Sequence, residues 1–118
     1  MINLRRLMES RPMTERIPFQ ELITNDYIPE TDYIVATKGR NYAFVYIPTG
    51  WSAKVNLKKL DWKNSVVWWY NPRTGEAKKS GEIPNDGFSE FKPETGGRDN
   101  DWVLVLDNKD IGFAPPGK

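Results

Sequence analysis

The sequence predicts an all-β protein, an antiparallel β-sandwich of about seven to eight strands with a short N-terminal helix. Between residues 33 and 108, short apolar runs alternate with Gly, Pro and Asn at intervals of about ten residues, a pattern typical of antiparallel strands joined by turns. In several runs both alternating faces are apolar. A chain of 118 residues has room for one core, because a domain of this size buries roughly two-thirds of its unfolded surface.

The first segment is predicted to be one amphipathic helix followed by an extended connector. The apolar residues that recur at helical spacing are Ile2, Leu4, Leu7 and Met8. Arg11-Pro12 ends the pattern, because a residue before proline disfavours the helical region. Such a helix of about two turns needs a surface to pack on. Residues 13–30 carry two prolines and no clear period, and we expect an ordered, extended connector with a short turn at residues 20–23.

Seven strands are predicted in the remainder, each bounded by turn residues. They span residues 33–37, 42–48, 52–57, 65–71, 76–82, 88–92 and 102–107. The clearest turn is Pro72-Arg73-Thr74-Gly75, where proline presets the first turn position and glycine accepts the end. Residues 76–82 are polar and are predicted to form an edge strand, whose Lys78 and Lys79 discourage pairing with another sheet. Residues 109–118 are predicted to form an irregular tail.

Composition excludes several classes of function. The 17 basic and 16 acidic side chains nearly balance. The chain therefore lacks the excess of positive charge with which proteins bind nucleic acids or anionic membranes. It contains no Cys and no His, which excludes disulfides, thiol nucleophiles, zinc sites of the usual ligand types and histidine acid–base chemistry. The sequence contains neither an apolar run that could span a membrane nor the pattern of a signal peptide.

Carboxylates remain as candidates for chemistry. Glu90, Glu94, Asp99 and Asp101 lie near one polar loop, and glycoside hydrolysis requires two facing carboxylates. No spacing here imposes the required separation, so ordinary solvated loop residues are the favoured interpretation. Residues 98–101 could offer oxygens to calcium, but the downstream glycine and glutamate of an EF-hand loop are missing. We therefore expect no catalytic residue, cofactor or metal ion in this chain.

Both faces of the central strands are apolar, which one sandwich core does not explain. Because side chains alternate along a strand, Phe44 and Val45 point in opposite directions, as do Trp68 and Trp69. One face forms the core, where we expect Trp69, and each large buried side chain contributes roughly 1.5 to 3 kcal/mol. The second face could lie under the helix and connector, pack on a neighbouring domain, or form an exposed aromatic platform. Cover within the chain together with domain packing is favoured, because large exposed apolar areas are rare on monomers.

Trp51 and Trp62 lie in turns outside the alternating pattern. A tryptophan face can stack on sugar or proline rings, so a ligand platform would consist of Trp51, Trp62 and the nearby Arg73. The alternative is that each indole folds back over the sandwich as a loop plug. This alternative is favoured, because a tryptophan usually buries its large surface.

Three segments, YAFVYIPTG (42–50), VVWWYNPRTGEA (66–77) and FKPETGGRDNDWVLVLDN (91–108), resemble a known module in this order and spacing. They are similar to the C-terminal β-sandwich of bacterial, apiosidase-like TIM-barrel glycoside hydrolases, a module labelled "putative collagen-binding domain of a collagenase". The N-terminal RRLMESRP and IPFQELI also resemble the family's junction between barrel and sandwich.

The resemblance implies that this chain is a fragment without the catalytic barrel. Residues 1–32 would be the junction helix and connector, residues 33–108 the accessory sandwich, and residues 109–118 the tail. The implied function is a non-catalytic domain that packs on and stabilises the barrel of a secreted or periplasmic hydrolase. The alternative is an independent module that binds polysaccharide or collagen. We expect neither nucleic acid nor membrane as a partner.

Overall fold

The computed structural model describes residues 2–10, 16–24, 34–49, 52–93, 100–113 and 115–117, with side chains from residue 5 onward. The expected apolar side chains of Ile2 and Leu4 lie outside this description. The helix is α1 (Ile2–Glu9). The strands are β1 (Ile17–Pro18), β2 (Val35–Lys38), β3 (Tyr42–Ile47), β4 (Ala53–Asn56), β5 (Asn64–Asn71), β6 (Glu76–Pro84), β7 (Phe88–Phe91) and β8 (Trp102–Asn108). The predicted β-rich fold with one short N-terminal helix is confirmed.

The strands form two antiparallel sheets of unequal width. The larger sheet has the order β1-β2-β3-β8-β5-β6, and the smaller sheet pairs β4 with β7. β6 lies at an edge, as its polar composition predicts. β8, the last strand in the chain, lies between β3 and β5 and contributes side chains to both faces of the larger sheet. α1 has eight residues, and no helix in the described part of the chain is long and apolar enough to cross a membrane.

The first core lies between the two sheets. Its buried residues are Leu22, Ile34, Ala36, Ala43, Val45, Ile47, Ala53, Val55, Leu57, Leu60, Trp62, Val67, Leu104 and Leu106. We expected Trp69 to be buried inside the core, but it is only half-buried and packs against this cluster from the margin. The reason is geometric, since a two-stranded sheet is too narrow to cover a six-stranded one.

The second face of the larger sheet is covered by other parts of the same chain. A second cluster contains Leu7, Tyr42, Phe44, Tyr70, Val103 and Val105, with Met8, Tyr46, Trp68, Ala77 and Phe113 packed against it. Leu7 and Met8 come from α1, and Phe113 comes from the tail. The tail also crosses this side at Gly117, where a Cβ would lie 2.8 Å from the Tyr70 ring. Cover within the chain thus accounts for much of the second apolar face.

Arg16 in the connector ties α1 to the sheet. Its Nη2 donates a hydrogen bond to the Met8 carbonyl oxygen at 2.7 Å, near the C-terminal end of the helix. Its Nε donates to the Tyr42 hydroxyl at 3.0 Å, and the guanidinium carbon lies 4.8 Å from the centre of the Phe44 ring. A cation at a helix C-terminus and over an aromatic face is favourable on both counts. The connector therefore helps to hold the helix in place.

Candidate functional site

Trp62, one of the predicted platform residues, is buried in the first core. Its side chain is 7% exposed, and its Nε1 donates a hydrogen bond to the Ser65 hydroxyl at 2.7 Å. Ser65 donates to the Asn85 Oδ1 at 2.9 Å, and the Asn85 amide donates back to the Trp62 carbonyl oxygen at 2.9 Å. This closed network holds the ring inward and favours the loop-plug interpretation for Trp62. Trp51 lies outside the described residues.

Arg73, the third predicted platform residue, lies in the turn after β5, at one end of the larger sheet. The turn is held by the Asn71 Oδ1, which accepts from the Arg73 backbone N–H at 2.9 Å, and by Gly75 with a φ of 80°. The Arg73 guanidinium carbon lies 5.1 Å from the centre of the Trp102 ring. Its Nε lies 3.4 Å from the Asp101 Oδ1, and its Nη1 donates to the Asn100 Oδ1 at 3.2 Å.

We call Arg73, Asn100, Asp101, Trp102 and Tyr46 the Arg73 cluster. The Tyr46 hydroxyl, from β3, donates a hydrogen bond to the Asp101 Oδ2 at 3.1 Å. The Trp102 ring also meets the Trp69 ring edge-on, with centroids 6.2 Å apart. Each carboxylate oxygen of Asp101 therefore has a partner, Arg73 at Oδ1 and Tyr46 at Oδ2. Because the ion pair is partly exposed, we expect it to orient the side chains more than it stabilises the fold.

The environment of Tyr46 favours its neutral form. Burial raises the pKa of the Tyr46 hydroxyl above its ordinary value, and the negative charge of Asp101 and the hydrogen bond to it act in the same direction. Burial also raises the pKa of the Tyr70 hydroxyl, against the opposing charge of Arg6. The folded protein therefore holds these protons more tightly than the unfolded chain does.

Replacing Tyr46 with phenylalanine is expected to reduce the loss of stability at alkaline pH. Since the folded-state pKa is raised, the contribution of Tyr46 is fully present below the unfolded value and is lost as pH rises through the folded value, from about pH 10 upward. Urea unfolding of both proteins at about pH 9 and about pH 11 measures this loss. The native Tyr70 remains in both. An equal alkaline loss in the Tyr46→Phe variant would contradict the assignment.

Beside the Arg73 cluster, an apolar cavity opens on the second face of the larger sheet. Its volume is about 260 Å³. It is lined by Met8, Val35, Thr37, Phe44, Tyr46 and Val103. We call this the α1 cavity, because Met8 brings the helix to its wall. Val35 is 43% exposed at this place, so the cover provided by α1 and the tail is incomplete here.

A second depression lies on the opposite side of the molecule, on the outer face of the smaller sheet. Its volume is about 350 Å³, and it is lined by Thr24, Lys54, Phe88, Ser89 and Glu90. We call it the Phe88 groove. Phe88 is 71% exposed, whereas Ala53 and Val55 of the paired strand point inward and are buried. The Phe88 groove and the α1 cavity therefore lie on opposite outer faces of the sandwich.

Of the four acidic residues that the sequence singled out, Glu90 and Asp101 are described, and each has a partner. Asp101 is engaged by Arg73 and Tyr46, and Glu90 accepts a hydrogen bond from the Ser52 hydroxyl at 2.9 Å. Glu94 and Asp99 lie outside the described residues. Among the residues that are described, no group of three or more Asp or Glu side chains could hold a metal ion.

Several residues of these surfaces have no local sequence pattern that marks them. The sequence predicts Arg73 as a platform residue, but its partner Trp102 belongs to a strand about thirty residues away, and only the strand order brings the two together. Tyr46 carried no signal beyond its place in an apolar strand. Phe88 begins a predicted strand, and its outward direction depends on the register with β4, in which it faces Asn56.

Comparison with known proteins finds one matching family and similar solved structures. The model of the family described as "Putative collagen-binding domain of a collagenase" matches residues 17–107. A solved structure titled "Glycoside hydrolase" superposes with a TM-score of 0.88 at 29% identity, covering 95% of this chain and 25% of that one. A glycoside hydrolase family 5 structure from Bacteroides vulgatus gives a TM-score of 0.90 at 28% identity, covering 97% and 25%. The chain thus spans about a quarter of these structures. No curated protein matches it.

Proposed function

The chain belongs to the family described as "Putative collagen-binding domain of a collagenase", and from this premise we propose that it is a non-catalytic accessory domain of a glycoside hydrolase. Its task is to pack on the catalytic domain and stabilise it. The coverage of the two glycoside hydrolase structures supports this proposal, because the match leaves most of each of those chains to other domains. The partner is a TIM barrel of the same exported polypeptide, and residues 1–32 form the junction to it.

The α1 cavity is the observation that carries the proposal. It is an apolar opening on a sheet face that the chain otherwise covers in large part, and it is bordered by the helix through which a preceding domain would connect. A helix of eight residues is roughly 12 Å long, so a domain joined to its N-terminus would start close to this opening. Apolar side chains of that domain could fill the cavity and cover Val35.

A chimeric enzyme tests whether the domain stabilises a catalytic partner. The matching quarter of the Bacteroides vulgatus glycoside hydrolase is either deleted or replaced by residues 1–118. We expect the chimera to melt several degrees above the deletion variant, because an interface that contributes about 1 to 2 kcal/mol raises the melting temperature by roughly 2 to 4 °C per kcal/mol in proteins of moderate size. Differential scanning calorimetry of both proteins gives the comparison.

Two substitutions in the chimera locate the contact. Val35→Lys places a charge at the α1 cavity and is expected to remove the gain in melting temperature, because a charge buried without a partner is costly. Ile111→Lys is the matched control, since Ile111 is similarly exposed but does not line the cavity. Two domains that unfold independently, at the temperatures of the separate pieces, would contradict the proposal.

The alternative proposal is an independent module that binds carbohydrate or collagen through Trp51, Trp62 and Arg73. Its support is the family description, which names collagen. Trp62 and Arg73, the two described members of this set, contact different residues. Trp62 is buried in the first core, and Arg73 belongs to the Arg73 cluster. Packing on a catalytic domain is therefore the function that the described geometry favours.

A further inference from the structure

The Phe88 groove has the features of a ligand site, and we infer that it binds the sugar rings of a neutral glycan, with Phe88 as the stacking surface. This inference goes beyond the proposed packing function. It uses a different sheet, a different set of side chains and the opposite side of the sandwich. Both functions can therefore operate in the same molecule.

Phe88 is exposed to an unusual degree for its residue type. Its 71% exposure exceeds that of every other large hydrophobic side chain described, the next being Ile17 at 52%. Most of the ring surface is therefore available for contact with a ligand. The apolar C–H face of a pyranose ring is flat and of similar size to a phenyl ring. Stacking would remove both this sugar face and the Phe88 ring from water.

Polar side chains surround the ring on the same face. In the β4–β7 register Phe88 lies opposite Asn56, and Lys54 lies opposite Glu90. Thr24 adds a hydroxyl group at the margin, which donates to the Lys54 carbonyl oxygen at 3.2 Å, whereas Ser89 lies opposite the buried Val55 and directs its side chain to the other face of the sheet. A sugar presents hydroxyls around its edge, and ammonium, carboxylate and hydroxyl groups at the margin of an aromatic surface can donate to and accept from them. An apolar floor with a few polar groups at its margin is the usual composition of a small-molecule site.

The groove is built on regular structure. The Thr24 backbone N–H donates to the Lys54 carbonyl oxygen at 2.8 Å, which attaches the connector to the edge of β4. The Leu57 backbone N–H donates to the Gly87 carbonyl oxygen at 2.9 Å, which fixes the chain just before Phe88. Side chains held on a fixed backbone lose less entropy when a ligand binds.

Charge and size select the kind of glycan. Lys54 and Glu90 face each other with opposite signs, so the groove carries no net charge from this pair and suits a neutral glycan. Each strand contributes four residues, roughly 13 Å, and the volume of about 350 Å³ lies at the lower end of ligand pockets. One or two sugar rings fit these dimensions. A collagen triple helix would require a longer surface than a single exposed ring provides.

Affinity electrophoresis of the 118-residue chain tests this site directly. Native gels contain hydroxyethylcellulose, xyloglucan or galactomannan as neutral polysaccharides, and polygalacturonate as an acidic one. We expect at least one neutral polysaccharide to retard the native chain, and Phe88→Ala to weaken the apparent affinity at least about tenfold. Phe88→Trp should restore it, since the larger ring offers the same stacking surface. Ile111→Ala is the control for loss of an exposed apolar side chain elsewhere.

The outcomes separate this inference from the proposed function. Circular dichroism should show that Phe88→Ala remains folded, because the side chain is exposed. Equal mobility in all three neutral gels and in plain gel, retardation by polygalacturonate alone, or equal retardation of native chain and Phe88→Ala would each overturn the inference. Binding to type I collagen that requires Phe88, without any neutral polysaccharide, would overturn it in favour of a collagen site. None of these results affects the melting temperature of the chimera.

Discussion

Leu104→Ala is expected to lower the free energy of unfolding by about 2 to 5 kcal/mol. Leu104 is 0% exposed, belongs to the central strand β8 and packs in the first core. Removing its branched end leaves a cavity that the flanking strands β3 and β5 cannot close, because both are fixed to β8 by hydrogen bonds. Native domains are stable by only roughly 5 to 15 kcal/mol, so this loss is a large share of the total.

Urea unfolding followed by tryptophan fluorescence measures the effect as a shift of the midpoint at constant slope. Leu104→Met is the matched control, and we expect it to cost less than about 1.5 kcal/mol because the volume and the apolar character are kept. If Leu104→Ala and Leu104→Met unfolded at the same urea concentration, the position of Leu104 in the core would be wrong.

Local signals explain why the strands could be predicted. The turn at residues 72–75 and the hairpin between β2 and β3 have Gly, Pro and Asn at positions where the backbone must reverse, so the flanking strands could be placed to within two residues. The polar sequence of β6 predicted an edge strand, because an interior strand of a sandwich needs an apolar face. These properties depend on residues close together in sequence.

The strand order depends on distant residues and could not be predicted in the same way. β8 pairs with β3 and β5 across long stretches of chain, and no turn residue determines that choice. The unequal width of the two sheets follows from this order, and it explains why Trp69 is half-buried at the margin of the core. The same order brings Trp102 under Arg73, which gives the Arg73 cluster.

The alternation of apolar residues predicts a second apolar face but does not predict what covers it. Alternation along β3, β5 and β8 predicted that both faces need cover, and it left the source of that cover undecided. The structure provides cover from both ends of the chain, through α1, Arg16 and Phe113. The α1 cavity is the part that these elements do not reach. The described part of the chain therefore leaves one apolar area of this face open, and it is the area that the proposed packing on a catalytic domain would use.

Leu7→Ala tests the part of this cover that α1 provides. Leu7 is 0% exposed in the second cluster. We expect a loss of about 2 to 3 kcal/mol in the free energy of unfolding, at the lower end of the range for buried leucines, because a short helix can detach while the sheet persists. Since the helix is too short to be stable alone, weakening its contact should also melt it.

Arg5→Ala is the matched control for Leu7→Ala. Arg5 is exposed on the same helix, and alanine favours helix formation, so this variant should leave stability within about 0.5 kcal/mol of the native value. Binding of a hydrophobic dye should rise in Leu7→Ala alone, because detachment of α1 uncovers Tyr42 and Phe44. Equal stability and equal dye binding in the two variants would show that α1 does not cover the sheet, and the α1 cavity would then be part of a larger open face.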